Sequence, residues 1–132
     1  MTRAADLPLR VVAPATPAVA PHGSVRELTA EVAVLLDPAF DAFAGHFPGA
    51  PVLPAMCLVD LALRAASLVA GADLDLVSVE RARFSRRILP GEELSIRVTL
   101  GAAGGGTRSV AADLLVLGEA AAHLRLRAAE SA

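Results

Sequence analysis

His46 stands in "GHFPGAPVLPAMCLVD", residues 45–60, and Asp60 follows fourteen positions later inside an otherwise apolar stretch. A neutral imidazole with a pKa of about 6.5 can take up or return a proton at physiological pH. A carboxyl group can make the complementary transfer, so the two together would form a general acid–base pair. Each also has an ordinary reading. A loop histidine commonly bonds nearby backbone, and Asp60 stands i, i+4 to Arg64, a spacing worth a few tenths of a kcal/mol on an exposed helix. A buried Asp60 would weigh against that reading, because a desolvated carboxylate is costly unless it is paired or functional. Spacing alone leaves both readings open. Cys57 would complete a Cys–His–Asp nucleophile set, yet a small thiol on a buried helix more often serves packing. His22, in "PHG", reads as having no chemical role, and His123, on one strand face with Arg125 and Arg127, reads as solvated. The sequence contains no metal-ligand cluster, no G-x-G-x-x-G and no Walker pattern, so nothing in it calls for a metal or another cofactor.

The elements that must position the pair can be read from periodicity. Pro54 is suited to open a helix and Gly71 to stop one. Between them "AMCLVDLALRAASLVA" predicts about sixteen helical residues, roughly 24 Å long. Asp60, Arg64 and Ser67 form one narrow polar stripe on it, with Cys57 a turn before. Every other face is apolar, which predicts a helix wrapped by protein on nearly all sides. "ELTAEVAVLL" reads as a strand, and "DPAFDAFAGHFPGAPVLP" as a loop pinned by Phe40, Phe43 and Phe47. "LVSVERARF", "EELSIRVTL", "TRSVAADLLVL" and "AAHLRLRA" read as four further strands, with "GAAGGG" as a hairpin turn. Residues 1–23 carry four of the nine prolines and no helical period. They read as an extended or loosely ordered segment ahead of one domain, 24–132. Strand, long helix, then antiparallel strands predicts an α+β domain whose sheet curves around one helix.

Composition narrows the classes. A chain of 132 residues can bury a sizeable core as one domain. The formal net charge of −2 argues against nucleic acid as the main partner. Hydrophobic residues make up 55%, but Asp60 and Arg64 interrupt the longest apolar run, so no membrane span is read. A single cysteine and no basic-then-apolar leader fit a reducing, cytoplasmic setting.

Two stretches carry a family resemblance. "GHFPGAPVLPAMCLVDLAL" resembles the active-site segment of bacterial 3-hydroxyacyl-(acyl-carrier-protein) dehydratases of the FabZ and FabA kinds. "RARFSRRILPGEELSIRVTL" resembles that family's second signature, and the two occur in the family's order. The resemblance covers roughly residues 27–128 and implies the hot-dog fold, an antiparallel sheet wrapped around one long helix. It also implies that His46 is the catalytic base and Asp60 the catalytic acid, with no cofactor. The expected reaction is loss of water from a 3-hydroxyacyl thioester, giving a trans-2-enoyl thioester in fatty-acid or polyketide-type biosynthesis. In the family the tunnel lies between two subunits, so a homodimer or a heterodimer with another hot-dog subunit is expected. Ala55 and Met56, at the helix start, would turn backbone N–H groups toward the thioester carbonyl, with Phe47 and Arg64 also near the substrate. The partner would be an acyl carrier protein with its phosphopantetheine arm, docking on Arg83, Arg86 and Arg87. Three departures stand out. Ala55 replaces the usual glycine, Arg64 replaces a common glutamine, and Ser85-Arg86-Arg87 replaces a proline-containing stretch. They leave a non-catalytic subunit of a heterodimeric dehydratase as the alternative, and a hot-dog thioesterase as a third.

Overall fold

A computed structural model describes residues 7–19, 21, 23, 25–38, 54–102 and 105–131. Among these described residues six antiparallel strands and one helix follow in chain order. They are β1 (Leu9–Val19), β2 (Val25–Leu35), α1 (Ala55–Ala70), β3 (Leu74–Phe84), β4 (Glu93–Gly101), β5 (Arg108–Val116) and β6 (Glu119–Glu130). The sheet order is β1-β2-β4-β5-β6-β3, which leaves β1 and β3 at its two edges.

The alternation read in the sequence is what seats this sheet. Leu94, Ile96, Val98 and Leu100 of β4 are buried, as are Val110, Ala112, Leu114 and Val116 of β5 and Leu124, Leu126 and Ala128 of β6. Their outward neighbours are polar or half-exposed, as a sheet covered on one face requires. Helix α1 lies on the buried face through Leu58, Val59, Leu61, Ala62, Ala65 and Ala66. Three alanines in that list let the helix axis approach the sheet closely. Gly71 ends the helix at φ 70°, a left-handed conformation that suits glycine, and its N–H donates to the Ser67 carbonyl at 3.0 Å.

Two features differ from the sequence reading. Within the segment read as extended or loose, Leu9–Val19 forms a strand of 11 residues paired with β2. Pro14 and Pro17 are tolerated there because β1 is an edge, and three register shifts accommodate them. Arg10 of β1 reaches across to Glu93 at 2.6 Å. The helix, moreover, is not wrapped on nearly all sides within one chain. Met56, Asp60 and Leu68 are exposed along one line of it. Among the described residues no helix is long and apolar enough to cross a membrane.

Candidate active site

The helix places the predicted polar stripe on its uncovered side. Asp60, Leu63, Arg64, Ser67 and Leu68 line an open groove of about 850 Å³, closed at the far end by the segment from Gly71 to Asp75 and by Ser131. Ser67 is a structural member of the stripe. Its Oγ donates to the Leu63 carbonyl and accepts the Leu74 N–H, both at 3.0 Å, tying the helix end to the start of β3.

Asp60 is exposed in the single chain, contrary to the burial expected from its apolar neighbours. Those neighbours are buried because they face the sheet, while Asp60 points into the groove. Arg64, one turn further, does not pair with it. Its Nη2 donates to the Leu7 carbonyl at 3.1 Å, and Leu7 is anchored in the core at 1% exposure. Among the described residues no ion pair involves Asp60. The carboxylate is thus left facing open space. The Leu7 contact had no sequence signal, since a backbone acceptor 57 positions away has no side-chain identity to read.

A second groove, of about 370 Å³, opens at the helix N-terminus between Ala55, Leu58, Phe84, Ser85, Arg86, Arg87 and Ile88. Pro54 at the N-cap offers no side-chain acceptor and no acidic residue stands in the first turn. The positive end of the helix dipole is therefore not neutralised by its own sequence. Ala55 and Met56, expected near the thioester, are exposed at that end. His46 and Phe47 lie outside the described residues, as does His22.

The three arginines expected to dock a carrier protein do not act alike. Arg86 is held inside the chain. Its Nη1 and Nη2 donate to the two Glu92 carboxylate oxygens at 3.3 and 3.0 Å, and its Nε lies 3.4 Å from Glu119. Arg86 is raised above the ordinary arginine range, chiefly by the hydrogen bond to Glu92. Glu92 also accepts the Leu89 N–H at 2.7 Å. Burial pushes its carboxyl up, but the bonds from Arg86 and Leu89 and the Arg86 charge together hold it below the usual glutamate range. This clamp shapes the wall of the second groove. Arg83 and Arg87 are exposed, Arg87 on that groove's rim and Arg83 on the outer face of β3. On the same outer face His123 Nδ1 donates to Asp113 at 2.7 Å, so it is paired rather than simply solvated.

Comparison with known proteins agrees with this architecture. A family model described as "ApeI-like: ApeI dehydratase" matches residues 22–110. The 3-hydroxyacyl-(acyl-carrier-protein) dehydratase FabZ of Cereibacter sphaeroides is 32% identical, over 62% of this chain and 63% of its own length. The chain therefore spans less than two thirds of that relative. A crystal structure of an uncharacterized protein from Erwinia carotovora superposes with a TM-score of 0.68 at 21% identity, covering 94% of each chain. The dehydratase heterocomplex ApeI:P from Xenorhabdus doucetiae superposes with a TM-score of 0.59 at 22% identity, over 77% of this chain and 88% of that one. The fold is the hot dog.

Proposed function

The chain belongs to the ApeI-like dehydratase family, and from that premise we propose that it removes water from a 3-hydroxyacyl thioester borne by an acyl carrier protein. The observation that carries the reading is Asp60: a carboxylate aimed into an open groove, with its only helical counter-charge, Arg64, drawn off to the Leu7 carbonyl. A structural carboxylate would take the arginine one turn away. A proton-transferring one is better served without it.

In this reading neutral His46 removes the proton from C2 of the substrate. The electrons of that C–H bond form the C2–C3 double bond as the C3–O bond breaks, and Asp60 delivers a proton to the departing hydroxyl. The products are water and a trans-2-enoyl thioester. The helix N-terminus at Ala55 and Met56 attracts the negative charge that builds on the thioester oxygen in between. The pantetheine arm enters by the groove between that terminus and Phe84. Arg87 on its rim meets the acidic carrier, while Arg86 braces the wall rather than docking. The compartment is the cytoplasm and the pathway class is fatty-acid or polyketide-type assembly.

The site is completed by a second hot-dog subunit. The uncovered stripe of α1 and the edge strand β3 both need protein against them, and a subunit joined at β3 covers both. The heterocomplex of the Xenorhabdus relative favours a second form of this reading, in which the chain serves a different, catalytic subunit. Incubation of the purified protein with a 3-hydroxyacyl carrier-protein substrate, followed by mass, decides. Loss of one water by the protein alone is the expected result. Release of free acid would make it a thioesterase, and no change until another hot-dog subunit is added would make it the accessory chain.

A further inference from the structure

The groove beyond Asp60 is long enough for an acyl tail but poorly lined for an alkyl one. Between Asp60 and Gly71 the helix rises about 16 Å. An extended chain advances about 1.2 Å per bond, so length alone admits roughly a dozen carbons. Polarity is the constraint. The helix offers the groove Leu63 and Leu68, and between them Arg64 and Ser67. Ser67 is engaged, its Oγ donating to the Leu63 carbonyl and accepting the Leu74 N–H. The far end is walled by the segment from Gly71 to Asp75, where the Ser131 N–H donates to the Asp73 carbonyl at 2.9 Å. An arginine on an uncovered helix face usually carries its head out to water. Arg64 is instead half-buried and moored, because its Nη2 donates to the carbonyl of the core residue Leu7 at 3.1 Å. A guanidinium presents N–H donors in a plane and no acceptor. A methylene chain laid beside it strips water from the charge and returns no hydrogen bond, whereas an oxygen on the chain returns one.

We infer that Arg64 selects the acyl class: the preferred substrate carries a neutral oxygen, hydroxyl or keto, on its tail, and a fully reduced alkyl chain long enough to reach Arg64 is disfavoured. This rests on the dehydratase reading for the direction of the substrate. With the thioester at the helix N-terminus and C3 at Asp60, the tail runs toward Gly71. Arg64 stands four residues on from Asp60, about 6 Å along the axis. That is about five bonds of extended chain, which puts the oxygen near C8. A four-carbon chain stops short of Arg64 and escapes the selection. An anionic tail does not suit the groove, because among the described residues Asp60, Asp73 and Asp75 line it together with Arg64 and would repel a carboxylate. A neutral acceptor takes a bond from the guanidinium without that repulsion. Such a tail has kept an oxygen through an earlier, incompletely reduced round of chain extension. Of the two pathway classes, the polyketide-type one is then the better fit.

Three carrier-bound substrates given to the full-length protein test this: 3-hydroxybutyryl, 3-hydroxydecanoyl and 3-hydroxy-8-oxodecanoyl. The first stops short of Arg64 and reports dehydration itself. The wild type is expected to use the 8-oxo chain at least about tenfold better than the plain ten-carbon chain in kcat/KM, with the difference chiefly in KM, because a site that hydrogen-bonds a group rejects the analogue lacking it. Arg64→Leu, which removes both charge and donors, should bring the two within about threefold of each other. Arg64→Gln keeps a donor and should retain part of the preference, and it decides with the wild type if Arg64→Leu does not fold. Calorimetric affinities for the same acyl groups as pantetheine thioesters read the preference without turnover. Equal or better use of the plain chain by the wild type, an unchanged ratio in Arg64→Leu, or equal affinities would overturn the inference. Tighter binding of the 8-oxo chain with none of the three dehydrated would sink the dehydratase reading and keep this selectivity. Dehydration of all three without preference would do the opposite.

Discussion

At the scale of single residues the proposed chemistry rests on His46 and Asp60. Asp60 is exposed and faces the groove, so in the proposed mechanism its loss removes chemistry rather than packing. His46→Ala and Asp60→Asn should each lower kcat by about 100-fold or more, the usual worth of a positioned acid or base. Far-UV circular dichroism of both variants should match the wild type, and an unfolded or fully active variant would remove that residue from the mechanism. Arg64 is the third residue to test. One of its partners is the Leu7 backbone carbonyl on the N-terminal segment, so it ties that segment to the helix while standing clear of Asp60. Arg64→Gln should cost about 1 kcal/mol of stability, the net value of one hydrogen bond. Turnover should stay within about threefold of wild type. A large rise in kcat would mean that Arg64 engages Asp60 in solution, as an i, i+4 pair can.

At the scale of elements the loop from Ser85 to Glu92 and the turn after β5 are the informative pieces. The loop carries buried Ile88 and is tied by Arg86, Glu92 and the Leu89 N–H, with the Leu36 N–H donating to the Glu92 carbonyl at 3.0 Å. Because the folded Glu92 carboxyl sits below its ordinary range, the unfolded chain binds that proton more readily. Its contribution is complete above the unfolded value and disappears as pH falls through the folded one. Thermal melts from about pH 7 to about pH 3 should therefore show a steeper loss of stability for the wild type than for Glu92→Gln. Equal slopes would mean that the clamp contributes nothing. The β5–β6 turn holds Leu117 at φ 52° and Gly118 at φ 77°, and Leu117 is 98% exposed. Two positive φ values in a two-residue hairpin favour Asn-Gly. Leu117→Asn should stabilise the chain by about 1 kcal/mol by relieving the strained leucine. An unchanged or lower Tm would count against it.

At the scale of the whole molecule the described residues leave two apolar surfaces exposed. Edge strand β3 carries exposed apolar side chains, paired among the described residues on one side only, and the helix turns Met56 to solvent at 66% exposure. If a second subunit covers these surfaces, as proposed, association adds stability and the Tm rises with protein concentration. Differential scanning calorimetry over a hundredfold range should show that rise, and a Tm independent of concentration would indicate a self-sufficient monomer.

The sequence by itself determined the α+β class, the helix from Ala55 to Ala70, the strands after it and the Asp60–Arg64–Ser67 stripe. These are local: a period of two or 3.6, a proline before and a glycine after are written in neighbouring residues. It also carried the family motifs. The tertiary structure alone decided that the proline-bearing N-terminal segment becomes a sixth strand, because edge position is a property of the sheet and not of the segment. It alone drew Arg64 to Leu7 and Arg86 to Glu92 and Glu119, separating one arginine of the expected docking cluster from the other two. It alone turned Asp60 outward, since apolar neighbours along a helix do not say which side the sheet will cover. The register shifts of β3 against β6 belong here too, because a bulge exists only once a strand has a partner to be out of step with.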